Sequence, residues 1–159
     1  MQPIRDKKFL EKAIELSRQG MKSGQGGPFG CLVVQGDEIV GEGCNQVTSS
    51  NDPTAHAEVV AIRNACEKLG TYQLTECEIF TSCEPCPMCL GAIYWARPKR
   101  VVYANTREEA AEIEFDDEFI YNEIKAKMED RKIPFVHYPH PEAQQVFLAW
   151  KNWAGKTKY

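Results

Sequence analysis

Two short segments that open successive predicted helices constrain this chain more than any other feature of its sequence. His56-Ala57-Glu58 begins one helix, and Pro85-Cys86-Pro87-Met88-Cys89 begins the next, starting 27 residues after Glu58. Cys86 and Cys89 are three positions apart in the first helical turn, so both sulfurs lie on one side, where the helix dipole and the free N–H groups favour thiolates. Two thiolates and one imidazole suit zinc. The pattern therefore predicts a zinc site formed by His56, Cys86 and Cys89.

The number of ligands indicates what such a zinc site does. Three protein ligands leave the fourth tetrahedral position for water, which distinguishes a catalytic zinc from a closed structural one. Zinc-bound water ionises near neutral pH, so hydroxide becomes available. Glu58 is close enough to His56 to reach that water without binding the metal, and it can carry protons to a substrate. Cys83 forms a second C-x-x-C with Cys86, so a closed four-ligand site in a non-catalytic zinc module is an alternative.

Composition narrows the class of protein and of substrate. The chain has 159 residues, of which 43% are hydrophobic and 26% charged, as expected for one compact globular domain. The net charge of −4 provides no general basic surface for a nucleic-acid backbone, which favours a small-molecule substrate. The N-terminus lacks the apolar core of a signal peptide, and no apolar run is long enough to span a membrane, so we expect a cytoplasmic protein. Without a signal peptide, the seven cysteines indicate metal binding and buried thiols instead of disulfides.

Hydrophobic periodicity and turn residues predict a mixed sheet covered by helices on both faces. The predicted elements are a helix over 7–22, a hairpin of strands at 29–34 and 38–44, a helix capped by Thr54 and ended by Gly70, a strand at 78–82, a buried apolar helix at 86–96 and a strand at 100–104. This order is typical of a three-layer α/β/α domain. The segment 107–131 holds ten acidic and four basic residues, which predicts mainly a solvated helical face.

The H-x-E and P-C-x-x-C segments are the signature of zinc nucleobase deaminases. From about residue 8 to residue 105 the chain resembles the cytidine/deoxycytidylate-type zinc deaminase family, and within it the small guanine deaminases. The closer resemblance is carried by Gly27-Pro28-Phe29-Gly30, Asn45, residues 51–58, residues 81–89, residues 92–98, Phe115-Asp116-Asp117 and a Trp-rich C-terminal helix ending in Tyr159. It implies a cytidine deaminase-like fold with roughly five strands, in one domain over 1–159 whose segment 106–159 completes the pocket.

The same resemblance implies a substrate, a set of contact residues and an assembly. The substrate is a purine base, guanine, and one zinc ion per chain serves its hydrolysis to xanthine and ammonia, with Glu58 as the catalytic residue. The implied substrate contacts are Phe29 packing on the ring, Asn45 bonding its edge, backbone of Ala57, Trp95 as a pocket wall, Asp117 accepting from a ring N–H and Tyr159 closing over the base. Homodimers are expected, in some members with exchanged C-terminal tails. The alternative within the family is adenosine deamination in transfer RNA, which needs basic contacts to phosphates.

Overall fold

The computed structural model describes residues 3–159 of the chain. Their helices and strands follow in the order α1 (Pro3–Lys22), β1 (Gly30–Gln35), β2 (Glu38–Cys44), α2 (Val47–Ser50), α3 (Ala57–Leu69), β3 (Cys77–Cys83), α4 (Pro87–Ala96), β4 (Arg100–Asn105), α5 (Arg107–Glu112), α6 (Glu118–Lys125), a 3₁₀ turn at Met128–Asp130 and α7 (Pro141–Asn152). The predicted alternation of helices and strands is confirmed.

The four strands form one mixed sheet in the order β2-β1-β3-β4. Strand β1 is antiparallel to both β2 and β3, whereas β3 and β4 run parallel. In the hairpin between β1 and β2, Gly36 has φ +60°, a conformation that glycine adopts without strain. Within residues 3–159 the sheet has one strand fewer than the expected five. Directly after β4, Thr106 and Glu109 form a capping box that starts α5, so the chain continues there as a helix.

Helices cover both faces of the sheet, as the alternation of side chains along β1 and β3 requires. On one face, Phe9 and Ala13 of α1 pack against Leu32 and Phe80. On the other face, residues of α3 and α4, among them Ala61 and Ile93, join the opposite set of strand side chains. The three-layer arrangement is therefore confirmed, and it leaves the starts of α3 and α4 on the same side of the sheet.

The predicted beginning of α3, with Thr54 as the cap, is wrong by two residues. Thr54 does not cap the helix, because its backbone N–H and its hydroxyl both donate to Asp52 Oδ1, at 2.8 and 2.7 Å. This Asx turn keeps Thr54 outside the helix. The N-cap position falls to His56, whose extended backbone (φ −71°, ψ 154°) leaves its imidazole at the helix end.

Helix α4 was predicted to be buried, and only one face of it is. Cys89, Ile93 and Ala96 are buried, at the spacing of one helical stripe. Tyr94 and Trp95 are 75% and 64% exposed. The prediction failed because the helix is apolar on all sides, so its sequence carries no periodicity that separates the two faces.

Contacts divide the chain after Glu118 into two compact units. The second unit, Phe119–Tyr159, contains the rest of α6, the 3₁₀ turn and α7. None of its residues is buried, although it carries the aromatic pair Trp150 and Trp153, whose ring centroids are 5.4 Å apart. Across residues 3–159, no helix is both long and apolar enough to cross a membrane.

Candidate active site

The three predicted metal ligands meet where α3 and α4 begin. His56 and Cys86 are the N-cap residues of these helices, and Pro87 starts α4 behind Cys86. Cys89 follows in the first turn of α4 and is buried. His56 Nδ1 lies 3.5 Å from the Sγ atoms of both cysteines. The helix starts thus bring together side chains that are 30 and 33 residues apart in the chain.

These distances fit zinc. With Zn–S bonds of about 2.3 Å and a Zn–N bond of about 2.05 Å, tetrahedral geometry places nitrogen and sulfur about 3.6 Å apart. The three ligand atoms of His56, Cys86 and Cys89 all lie within 4.8 Å of one another. Cys83 is outside this group: its thiol faces the carbonyl of Thr106 at 3.7 Å, and burial raises its pKa to about 11. The geometry therefore favours three ligands over the four-ligand alternative.

The cysteine pair is poised to supply thiolates. The hydrogen bond with Cys89, followed by that with His56, lowers the pKa of the Cys86 thiol to about 4. The hydrogen bond with Cys86 in turn raises the pKa of His56. The pKa of Cys89 is raised by its bond to the Cys86 thiolate and by burial. One thiolate of the pair therefore forms readily, and a bound cation favours the charged form of both sulfurs.

Glu58 lies beside this cluster in the first turn of α3 and is only 5% exposed. One of its oxygens, Oε1, accepts a hydrogen bond from the Thr81 hydroxyl at 2.9 Å. The other, Oε2, is 3.4 Å from Cys89 Sγ and therefore faces the metal ligands. Burial raises the pKa of the Glu58 carboxyl, which suits a group that must both take and give protons.

Aromatic residues lie next to the loop before β1. The ring of Phe29 is half-buried and meets the ring of Phe115 edge to face, with centroids 4.9 Å apart at 89°. Gly27 makes this pairing feasible, because a Cβ there would lie 2.9 Å from the Phe115 ring and 3.1 Å from the Phe29 ring. The contact connects the loop before β1 to the Phe115-Asp116-Asp117 segment.

The Asn45 side chain is buried and has a defined orientation. Its Oδ1 accepts hydrogen bonds from the backbone N–H groups of Gly27, at 3.3 Å, and Val47, at 3.1 Å. An amide oxygen has two lone pairs, so both are used. The amide therefore presents N–H donors, and not its carbonyl oxygen, to a ligand.

The remaining predicted contact residues are placed as follows. Ala57 is fully buried as the first residue of α3, between the metal ligand His56 and Glu58. Asp117 is half-buried, and its pKa is raised by burial and by the negative charge of Cys86, so its carboxylate lies in the field of the metal cluster. Trp95 is largely exposed on α4, and Tyr159 is 69% exposed in the C-terminal unit. Their predicted roles as pocket wall and lid stay predictions.

One residue of this site was missed in the sequence. Thr81 contacts Glu58, but the sequence predicts only that it lies in the strand at 78–82 and assigns its side chain no role. The available signal was a hydroxyl directly after the apolar residues Ile79 and Phe80 in a strand, because a buried group of this kind needs a polar partner.

Comparison with known proteins agrees with this geometry. The model of the cytidine and deoxycytidylate deaminase zinc-binding region matches residues 3–105 of the chain. The chain belongs to this zinc deaminase family. The identification made from the H-x-E and P-C-x-x-C motifs is thereby confirmed, and so is zinc as the metal of the site.

Several members of the zinc deaminase family resemble the chain over most of its length. It is 56% identical to the guanine deaminase of Bacillus subtilis, over 95% of this chain and 97% of that protein. The crystal structure of that enzyme superposes with a TM-score of 0.94, covering 96% of this chain and 98% of the other. A guanine deaminase structure from Nitrosomonas europaea gives a TM-score of 0.65 at 33% identity, covering 69% of this chain and 63% of its own. The tRNA-specific adenosine deaminase of Aquifex aeolicus is 29% identical over 87% of this chain and 88% of its own.

Proposed function

We propose that this protein is a guanine deaminase that hydrolyses guanine to xanthine and ammonia. The observation that carries the proposal is the buried carboxylate of Glu58, which faces an intact His56, Cys86 and Cys89 cluster. The proposal is supported by 56% identity to a guanine deaminase over 95% of the chain. A purely structural zinc site has no use for a buried acid beside its ligands, whose desolvation costs free energy.

The reaction adds water across C2 of guanine and releases the amino group attached to it. His56, Cys86 and Cys89 would hold the zinc ion, which when bound would make hydroxide available at neutral pH for this addition. Glu58 takes the proton released from water and delivers it to the ring nitrogen next to C2. It then transfers the proton of the added hydroxyl group to the leaving amine, and departure of ammonia leaves xanthine. Because Oε2 faces the metal ligands, this oxygen is the one that carries the protons.

The side chains predicted to contact the base suit guanine. The N–H donors of Asn45 match an acceptor such as O6 or N7 of the purine, and the Asp117 carboxylate accepts from a ring N–H. The ring of Phe29, held in place by its edge-to-face contact with Phe115, packs against the purine ring. Backbone of Ala57 lies between the metal ligand and the acid, so it contributes at the reacting end of the base. Trp95 completes a wall of the pocket, and Tyr159 closes over it.

We also propose a homodimer in which C-terminal segments are exchanged. The support is that none of residues 119–159 is buried, although the segment carries apolar side chains such as Phe147 and Trp150, which are 81% and 43% exposed. An exposed apolar surface of this kind marks an interface. With residues 106–159 completing the pocket, the 159 residues act as one catalytic domain. The enzyme works in the cytoplasm in purine metabolism, without membrane or nucleic acid.

The decisive experiment measures ammonia release from guanine, adenine, cytosine, cytidine and a transfer RNA with adenosine at the wobble position. Each substrate is tested with zinc-loaded wild type and with Glu58→Gln, which keeps the shape of the side chain. We expect release from guanine alone, reduced at least ~10²-fold in the variant while bound zinc is unchanged, as for loss of a general acid–base group. Release from the transfer RNA alone would replace the proposed function by RNA modification. Undiminished turnover in the variant would exclude Glu58 as the proton carrier.

A further inference from the structure

The central strand β3 carries a polar side chain directly under the catalytic carboxylate. Thr81 has no exposed surface and lies among the residues of β3 that point toward α3 and α4. Its hydroxyl is 2.9 Å from Glu58 Oε1 and 3.5 Å from the carbonyl oxygen of Gly30. A hydroxyl has one hydrogen to donate, and the shorter contact to a carboxylate is the stronger one. Thr81 therefore donates to Glu58.

This bond distinguishes the two oxygens of the Glu58 carboxylate. Oε1 is held by Thr81 on the sheet side, whereas Oε2 faces Cys89 Sγ at 3.4 Å. A glutamate has three rotatable side-chain bonds, and its terminal torsion is soft. The Cys89 thiol can donate to Oε2, but it loses that proton when it binds zinc as a thiolate, and Thr81 is then the side chain that holds the carboxylate.

We propose that Thr81 is a positioning residue for catalysis, which holds Oε1 of Glu58 so that Oε2 is the oxygen that exchanges protons with the substrate. Thr81 is fully buried and is not one of the residues that can hold the metal, so its role is exerted through the Glu58 carboxylate. This inference rests on the proposed function for its kinetic consequence. The hydrogen bond itself does not depend on which amine is the substrate.

The neighbouring residue supplies a matched control. Ser82 is also a buried hydroxyl on β3, but it lies on the opposite face of the sheet and accepts a hydrogen bond from the Gly30 N–H at 3.0 Å. Replacing either hydroxyl removes one buried hydrogen bond from the same strand. Only the change at Thr81 removes a bond to Glu58.

The kinetic test compares Thr81→Val, Thr81→Ser and Ser82→Ala with wild type, each at full zinc occupancy. Valine keeps the shape and the β-branching of threonine, so the strand is preserved. We expect Thr81→Val to lower kcat for guanine roughly 10- to 100-fold with KM nearly unchanged, as for a lost hydrogen bond to a charged group. Serine restores the hydroxyl and should restore kcat to within about fivefold. Ser82→Ala should lower the unfolding midpoint while keeping the wild-type kcat. A wild-type kcat in Thr81→Val, or an equal loss in Ser82→Ala, would overturn the proposal.

A second measurement does not need the substrate. Unfolding free energies of wild type, Thr81→Val, Glu58→Leu and the double variant form a double-mutant cycle. We expect the valine substitution to be less destabilising when Glu58 is already replaced, since the partner is then gone. Additive effects would show that the two side chains do not interact and would overturn the proposal. If wild type releases no ammonia from guanine but the cycle shows coupling, the proposed function fails and the Thr81–Glu58 contact stands.

Discussion

A methyl group added at Gly43 should displace helix α3, which carries His56 and Glu58, and thereby impair the active site. Gly43 lies in β2 opposite the first turns of α3, where strand and helix backbones approach closely. A Cβ built there lies 2.3 Å from the carbonyl oxygen of Ala57 and 2.6 Å from the backbone nitrogen of Ala61. Both obstacles are backbone atoms, so no side-chain rotation relieves the clash. The substitution Gly43→Ala must therefore push α3 away from the sheet.

The size of the displacement follows from these contacts. Because real Cβ atoms essentially never come closer than 3.0 Å to such a neighbour, the 2.3 Å contact must open by about 0.7 Å or more. The turn that moves carries His56 at its cap and Glu58 next to it. Overpacking of this kind costs about 1–3 kcal/mol of stability. Misplacing a catalytic group by about 1 Å can cost roughly 10²-fold in rate, so we expect kcat to fall roughly 10- to 100-fold.

The assay combines thermal unfolding, bound zinc and the steady-state kinetics of guanine deamination in Gly43→Ala. Gly91→Ala is the control: it adds the same methyl group within α4, where nothing lies within 4 Å of the new atom. We expect the control to keep its activity and to be slightly stabilised, as alanine favours helices over glycine by about 1 kcal/mol. The reasoning would be refuted if Gly43→Ala lost stability but kept wild-type kcat and zinc content, since α3 would then have moved without moving the site.

Three further perturbations separate the roles of individual contacts. Cys86→Ser should reduce bound zinc and activity together, whereas Cys83→Ser should keep both, because Cys83 lies outside the cluster. Metal analysis of the two variants checks this, and an equal loss of zinc in both would support the four-ligand site. Phe115→Ala should remove the edge-to-face support of the aromatic pocket and raise KM for guanine at unchanged zinc content, and an unchanged KM would remove it from the pocket. Asp6→Asn should cost ~1 kcal/mol at pH 7, because its carboxylate accepts two hydrogen bonds from Arg100 at 2.7 and 2.8 Å. These bonds lower the folded-state pKa of Asp6, so the stabilisation is present above about pH 4 and is lost as the pH falls further. Denaturant unfolding at pH 7 and pH 3 should show that the difference in unfolding free energy between wild type and Asp6→Asn is smaller at pH 3. An equal difference at both pH values would contradict this.

The metal ligands could be predicted because their spacing and their chemistry agree. His56, Cys86 and Cys89 belong to short local motifs. Pro87 independently signals the helix start at Cys86, and the start at His56 lies two residues after the predicted cap Thr54. The two local motifs are therefore enough to predict the metal ligands, because the helices that carry them need only pack on the same face of the sheet. The same holds for the hairpin at Gly36, where two strand-like runs flank a glycine.

Contacts between distant segments could not be predicted in this way. The hydroxyl of Thr81 and the carboxylate of Glu58 are 23 residues apart and meet only through packing of α3 on the sheet. Asn45 shows the same limit. Its type predicts hydrogen bonding, but only the fold shows that Gly27 and Val47 occupy its oxygen and leave the N–H donors available. A local pattern can also fit two structures. The sequence around Thr54 is compatible with a helix cap and with an Asx turn, and the hydrogen bond from the Thr54 N–H to Asp52 Oδ1 selects the turn.

The orientation of Asn45 and the charge of Asp117 together predict how the site discriminates between purines. Guanine has acceptors at O6 and N7 and a donor at N1, whereas adenine has an amino group in place of O6 and a lone pair at N1. A carboxylate at Asp117 would face that lone pair, and the N–H donors of Asn45 would face the adenine amino group. A site built to hydrogen-bond one substrate can reject an analogue with unmatched groups by ~10⁴-fold or more. In Asp117→Asn the amide can donate to N1 of adenine, so we expect kcat/KM for guanine to fall and adenine to become a stronger competitive inhibitor of guanine deamination. If kcat/KM for guanine and the inhibition constant of adenine both kept their wild-type values, the Asp117 carboxylate would not recognise N1.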